Sequence, residues 1–136
     1  MKTEAATKSV LVVEDEQSIR DILVELFEVD GNTVTSAELL PQALDKLRTQ
    51  RFDLIVTDLR LGGKRDGGLQ VMALAGMLSP EAMVLVLTAY PDDSNRQASF
   101  RLGALHFLEK PVDLATIAQH ADKVGVKTAF AGSISE

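Results

Sequence analysis

The chain alternates between two hydrophobic periods. Ser9-Val10-Leu11-Val12-Val13, Leu54-Ile55-Val56-Thr57, Ala82-Met83-Val84-Leu85-Val86-Leu87 and Ala104-Leu105-His106-Phe107-Leu108 are short runs of apolar or β-branched residues, with a shorter one at Asn32-Thr33-Val34-Thr35. Continuous runs of this length predict strands buried on both faces, the mark of a parallel sheet. Between them the apolar positions follow helical spacing. Ile19, Ile22, Leu23, Leu26 and Val29 predict a helix from Gln17 to Asp30, stopped by Gly31 as its C′ residue. Leu40, Ala43, Leu44 and Leu47 predict a second, with Pro41 in its first turn, where a missing N–H does no harm.

The polar stretch Gly62-Gly63-Lys64-Arg65-Asp66-Gly67-Gly68 reads as a flexible loop, longer by about two residues than short βα loops. It leads to a helix from about Leu69 to Leu78 that Pro80 terminates and whose apolar positions nearly encircle it. Pro91-Asp92-Asp93-Ser94 is helix-start chemistry, and the helix after it shows only a thin apolar stripe, chiefly Ala98 and Leu102, before Gly103. Val112 to about Val124 reads as a last helix. Five strands alternating with five helices predict an α/β fold of right-handed βαβ units, a parallel sheet covered on both faces. The expected organisation is an N-terminal extension over 1–8, one domain over 9–124 and a flexible tail over 125–136.

Composition narrows the class. The 136 residues suit one domain with a real core. Fourteen Lys and Arg against twenty Asp and Glu leave a net charge of -6, which argues against direct nucleic-acid binding and for a cationic ligand. The absence of cysteine excludes disulfides, thiolate nucleophiles and Cys-ligated zinc. No apolar run approaches the roughly 20 residues of a membrane span, so a soluble cytoplasmic protein without membrane insertion is expected.

Four predicted strands end on polar residues: Glu14 and Asp15, Asp58, Thr88 and Lys110. In a parallel sheet these ends point the same way, and ligands of open α/β sheets bind there. Taken singly, an acid after a strand is commonly a helix cap, a threonine a turn residue and a lysine before proline a solvated charge. Together they form a constellation. Three close carboxylates repel by about 4 kcal/mol per pair at 4 Å with an effective dielectric near 20, so the cluster must keep a proton or recruit a cation. Mg²⁺, or Mn²⁺ in its place, accepts one or two carboxylates and retains waters. With that charge neutralised, one carboxylate can attack a phosphoryl group while Lys110 and the Thr88 hydroxyl face the transferring oxygens. His106 and His120 show no paired ligand spacing and read as surface or half-buried residues.

The order of these groups resembles the receiver domain of response regulators, through Leu11-Val12-Val13-Glu14-Asp15-Glu16, Leu54-Ile55-Val56-Thr57-Asp58, Val86-Leu87-Thr88-Ala89 and Phe107-Leu108-Glu109-Lys110-Pro111. The resemblance implies a flavodoxin-like (βα)5 fold with strand order 2-1-3-4-5. It implies Asp58 as phosphoacceptor and Mg²⁺ ligand, Asp15 as direct ligand, Glu14 acting through water and Arg60 through its backbone carbonyl. Thr88 and Lys110 would grip the phosphoryl group, and Phe107 would change rotamer as Thr88 moves. Arg60 and Tyr90, two residues after Asp58 and Thr88, stand where the family tunes acyl-phosphate lifetime. Both are large enough to restrict water. The implied partners are a sensor histidine kinase or a histidine phosphotransfer protein upstream, and a protein partner or fused output domain downstream. The switched surface would be that of the fourth helix, fifth strand and fifth helix.

Departures from the family pattern are Glu14 in place of a second Asp, and Leu61-Gly62 where Met-Pro is usual. A haloacid-dehalogenase-like phosphatase would carry a second acid at position 60, where arginine stands. A flavodoxin-like flavin binder would need a phosphate-cradling loop where Glu14-Asp15-Glu16 repels phosphate. A pseudo-receiver serving only as an interaction module would lack the acceptor, a metal acid or the lysine. The expectation is therefore a phosphoacceptor without turnover on a small substrate.

Overall fold

The computed structural model describes residues 7–111 and 113–129. Five strands alternate with five helices: β1 (Lys8–Val13), α1 (Gln17–Phe27), β2 (Asn32–Ala37), α2 (Leu40–Thr49), β3 (Leu54–Asp58), α3 (Gly67–Leu78), β4 (Met83–Thr88), α4 (Asp93–Arg101), β5 (His106–Glu109) and α5 (Leu114–Asp122). All four strand pairings are parallel and the sheet order is 2-1-3-4-5, as expected. No helix among the described residues is long and apolar enough to cross a membrane.

Alternation along the central strands builds two cores from one sheet. Leu11 and Val13 of β1, Ile55 of β3 and Val84 and Val86 of β4 face one side, where Leu40, Ala43 and Leu47 of α2 and Val71, Met72 and Ala75 of α3 cover them. Val10, Val12, Leu54, Val56, Leu85 and Leu87 face the other, under Leu23, Leu26 and Phe27 of α1 and Ile117 and Ala121 of α5. Successive strand side chains point to opposite faces, so a strand apolar at every position serves both layers.

Several element boundaries differ from the sequence reading. Helix α1 ends at Phe27, with the Glu28 N–H bonded to the Val24 carbonyl. The apolar period continues to Val29, but that residue lies in a turn. Gly31, at φ +95°, supplies the left-handed residue just before β2 rather than a helix stop. Strand β2 continues to Ala37, held by pairing with β1 through Val13. In α4 the buried residue is Ser99, whereas Leu102 lies past the helix end and is 38% exposed. Helix α5 starts at Leu114, capped by the Asp113 carboxylate, which accepts from Ala115 and Thr116 N–H; Val112 lies outside the described residues. Lys8, the last residue of the expected N-terminal extension, opens β1 and pairs with Asn32, and residues 1–6 lie outside the described residues. The tail expected from 125 is packed at first. Val126 is fully buried in the core under α1 and α5, and the Lys127 carbonyl accepts from Asn32 Nδ2 at 2.8 Å. Residues 130–136 of that tail lie outside the described residues.

The glycine-rich loop after β3 is tied down, contrary to its reading as a flexible stretch. Leu61 and Lys64 exchange backbone hydrogen bonds at 3.1 and 2.9 Å, Leu61 is buried, and Gly67 and Gly68 belong to α3. Gly68 has a steric role: a Cβ there would lie 2.3 Å from the Asp58 carbonyl oxygen and 2.7 Å from the Leu59 Cα. The first turn of α3 thus rests directly on the backbone of the last β3 residue. Gly76, further along the same helix, has nothing within 4 Å of that position.

The two glycines should therefore respond oppositely to alanine. Gly68→Ala must push backbone apart and should destabilise by about 1–3 kcal/mol, whereas Gly76→Ala should stabilise by roughly 0.5–1 kcal/mol through helix propensity. Urea unfolding of both variants checks this; equal effects would contradict the close packing of α3 on β3.

Candidate functional site

The sheet register gathers the polar strand ends. Val13 pairs with Thr57, Asp58 with Leu87 and Thr88 with Glu109. Glu14, Asp58, Thr88 and Lys110 consequently emerge along one edge from β1, β3, β4 and β5. Carboxylate oxygens of Glu14, Asp15 and Asp58 all lie within 4.8 Å of one another. Lys110 Nζ stands 3.1 Å from Asp58 Oδ2 and 3.0 Å from Glu14 Oε1, and donates to Glu14 Oε2 at 3.2 Å. The Lys110–Pro111 peptide is cis.

Burial sets the electrostatics of this cluster. Glu14 is 0% exposed and Asp58 7%. Burial, reinforced by the neighbouring Asp58 charge, pushes the Glu14 carboxyl up to about 7, against the hydrogen bonds from Lys110 and the Glu16 N–H. Asp58 is also raised, by burial and the Asp15 charge, with Lys110 and the Arg60 N–H opposing. Burial acts against the Lys110 charge, yet its hydrogen bonds and ion pairs with Glu14 and Asp58 hold it above the usual lysine value. One ammonium thus serves two buried carboxylates.

Around this centre the remaining residues form a rim. Asp15 Oδ2 accepts from the Gly62 N–H at 2.9 Å, which fastens the post-β3 loop to the end of β1. The Arg60 guanidinium stacks on the Tyr90 ring at 3.7 Å from its centroid, a cation–π contact joining the loop after β3 to the loop after β4. The buried Thr88 hydroxyl accepts from the Tyr90 N–H at 2.8 Å, leaving its own proton to donate. Phe107 is 9% exposed on β5, with Arg96 of α4 at 4.9 Å from its ring centroid and Phe100 at 6.4 Å.

The donor set fits a hard divalent cation. All three acidic groups offer oxygen, and the ammonium beside them is shared between Glu14 and Asp58. Three carboxylates facing one ammonium are costly to keep ionised unless another positive group compensates them.

Of the residues singled out from sequence, Glu14 and Asp58 meet Lys110 at ion-pair range, and Asp15 joins the two acids. Thr88, Arg60 and Tyr90 form the adjoining rim, and Phe107 lies one layer away under α4. The Gly62 N–H was not foreseen, since a backbone donor leaves no trace in residue type. The histidines are half-buried, within the surface or half-buried reading, and the structure adds that His106 of β5 and His120 of α5 stack with ring centroids 3.6 Å apart. They are distant in sequence, and only the packing of α5 on β5 makes them neighbours.

Comparison with known proteins agrees with this geometry. The profile of the response regulator receiver domain matches residues 10–122. Sporulation initiation phosphotransferase F of Bacillus subtilis is 30% identical over 116 residues, covering 85% of this chain and 92% of its own. The alginate biosynthesis regulator AlgB of Pseudomonas aeruginosa is 35% identical over 75% of this chain but only 22% of its own length, and KdpE of Escherichia coli 36% identical over 80% and 47%. A Burkholderia pseudomallei response regulator solved with a phosphorylated aspartic acid, calcium ion and citrate superposes with a TM-score of 0.74 at 29% identity, covering 93% of this chain and 70% of that one. A CheY-like receiver from Methanospirillum hungatei, at 24% identity, shares the fold with a TM-score of 0.79. The chain belongs to the response regulator receiver domain family.

Because the folded-state value of Glu14 lies above its unfolded one, the metal-free protein binds the proton more tightly when folded. Stability should be highest at the acidic end and fall as pH rises from about 4.5 to about 7. Asp58, also raised, acts in the same direction. Thermal unfolding in chelator should show that decline in wild type and a much flatter profile in Glu14→Gln; a parallel profile in the variant would contradict the assignment.

Proposed function

We propose that Asp58 accepts a phosphoryl group from the phosphohistidine of a sensor histidine kinase or histidine phosphotransfer protein, with Mg²⁺ as the preferred ion. The observation that carries this reading is the shared contact of Lys110 with Glu14 and Asp58 beside Asp15, an acidic pocket of three carboxylates with one ammonium. Asp15 and Asp58 would hold the ion directly, Glu14 through water and Arg60 through its carbonyl. Mn²⁺, with the same preference for oxygen, would substitute. Bound there, the ion offsets negative charge on the acids and on the transferring oxygens.

The residues of the chain then have separable tasks. An Asp58 carboxylate oxygen attacks phosphorus as the P–N bond to the donor imidazole breaks, so an acyl phosphate forms and histidine leaves. Lys110 neutralises phosphoryl charge, and the Thr88 hydroxyl donates to a phosphoryl oxygen after turning from the Tyr90 N–H. That turn would free the Tyr90 backbone and allow Phe107 to reorient. Phosphorylation would thereby favour a minor conformation of the α4–β5–α5 face. The Arg60–Tyr90 stack restricts water at the acyl phosphate and slows self-hydrolysis. The chain is a phosphoacceptor rather than an enzyme turning over a small substrate. Its output passes to a protein partner or a fused domain, a reading supported by the transcriptional regulators AlgB, ZraR and KdpE, of which the aligned part is 22%, 25% and 47%.

A pseudo-receiver used only for binding is the second reading. It predicts no covalent product. Incubation with Mg²⁺ and acetyl phosphate followed by intact mass should show one added phosphoryl in wild type and none in Asp58→Asn. Unmodified wild type under conditions that label another receiver would favour the pseudo-receiver. In a dephosphorylation time course, Arg60→Ala with Tyr90→Ala should shorten the acyl-phosphate half-life several-fold; a half-life as long as wild type would remove the stack from the account.

A further inference from the structure

The stacked histidines lie away from the phosphorylation site. His106 is the first residue of β5, four residues before Lys110, which in an extended strand is about 13 Å. His120 is in the last turn of α5. The rings are nearly parallel, with centroids 3.6 Å apart and planes at 22°. His120 Nδ1 is buried and has no hydrogen-bond partner. In a neutral imidazole that nitrogen can be a bare acceptor; in an imidazolium it must be a donor facing no acceptor.

The surroundings favour neutrality. Lys123, the C-cap of α5, places positive charge on both rings, and each ring would repel a charged partner. Strand β4, paired with β5 through Leu85 and His106, contributes only Met83-Val84-Leu85-Val86-Leu87-Thr88 and no charge. Lys123 is thus the charged group that acts on both rings. Burial first, then these neighbours, lowers the proton affinity of both histidines.

We infer that the His106–His120 stack is a proton-sensitive fastening between β5 and the last turn of α5, closed when both rings are neutral and opened by acid. Protonation of either ring places a cation against its neighbour and Lys123, and an N–H at the buried Nδ1 position. Both are relieved by separating the rings, which withdraws the end of α5 from β5. Beyond that turn lies the packed segment of Val126 and Lys127, the latter bonded through its carbonyl to Asn32. Acid would therefore loosen the point where the chain leaves the sheet, in a position to add proton dependence to the face that α5 and β5 present.

The test uses the unphosphorylated full chain in chelator, so it is independent of the phosphoacceptor reading. Imidazole resonances followed by NMR from pH 8 to pH 5 should give midpoints below the ordinary histidine value for both rings, and His106→Phe should raise the midpoint of His120. Hydrogen-exchange protection factors for residues 118–124 should fall several-fold between pH 7.5 and pH 5.5 in wild type, and stay constant in a His106→Phe, His120→Phe variant that keeps an aromatic stack without charge. Two independent midpoints at the ordinary value, protection unchanged by acid in wild type, or an equal acid-induced loss in the double variant would each overturn the inference. If the double variant does not fold, the wild-type titration and protection factors decide it alone.

Discussion

Mutual repulsion among three carboxylates at one sheet edge is the constraint on which this molecule is built. Glu14, Asp15 and Asp58 are brought within a few ångströms by strands that must pair for the sheet to exist, so the fold itself imposes their proximity. Lys110 relieves part of the repulsion. A single ammonium shared between two buried acids leaves the pocket short of positive charge, which raises the proton affinity of Glu14 and gives a donor set that fits a divalent ion. The same arrangement holds the phosphoacceptor ready beside the charges that its product requires.

The rest of the architecture keeps that edge in place. Two apolar layers lock the register of β1, β3, β4 and β5. Gly68 lets α3 press against the Asp58–Leu59 backbone, and the Gly62 N–H anchors Asp15 and the intervening loop together. Arg60 on Tyr90 bridges the loops after the two strands bearing Asp58 and Thr88. The Thr88 hydroxyl is tied to the same loop, since it accepts from the Tyr90 N–H. The acids and the stacked histidines lie at opposite ends of β5, with His106 its first residue and Lys110 just past its last.

How much of this was legible in the sequence depended on the range of the interaction. Buried parallel strands announce themselves by unbroken apolar runs, and the strand-end acids and lysine come with them, so the sheet order and the pocket were readable through the family resemblance. Helix ends were less so: the apolar period past Phe27 continued through Val29 although the backbone had already turned. Gly67 and Gly68 looked like loop residues because composition cannot distinguish a glycine needed for flexibility from one needed for close approach. The His106–His120 stack, the Arg60–Tyr90 contact and the Gly62 donor to Asp15 had no local signal, since each joins elements that only tertiary packing makes adjacent.

The most direct measurement of the central claim is calorimetric titration of the unphosphorylated protein with Mg²⁺, comparing wild type with Asp15→Asn and Asp58→Asn. An acidic edge that lacks positive charge predicts one binding event in wild type and an affinity at least about tenfold weaker in each variant, a difference of about 1.4 kcal/mol. Equal affinity in all three proteins would show that the carboxylates do not act as one site, and would contradict the account.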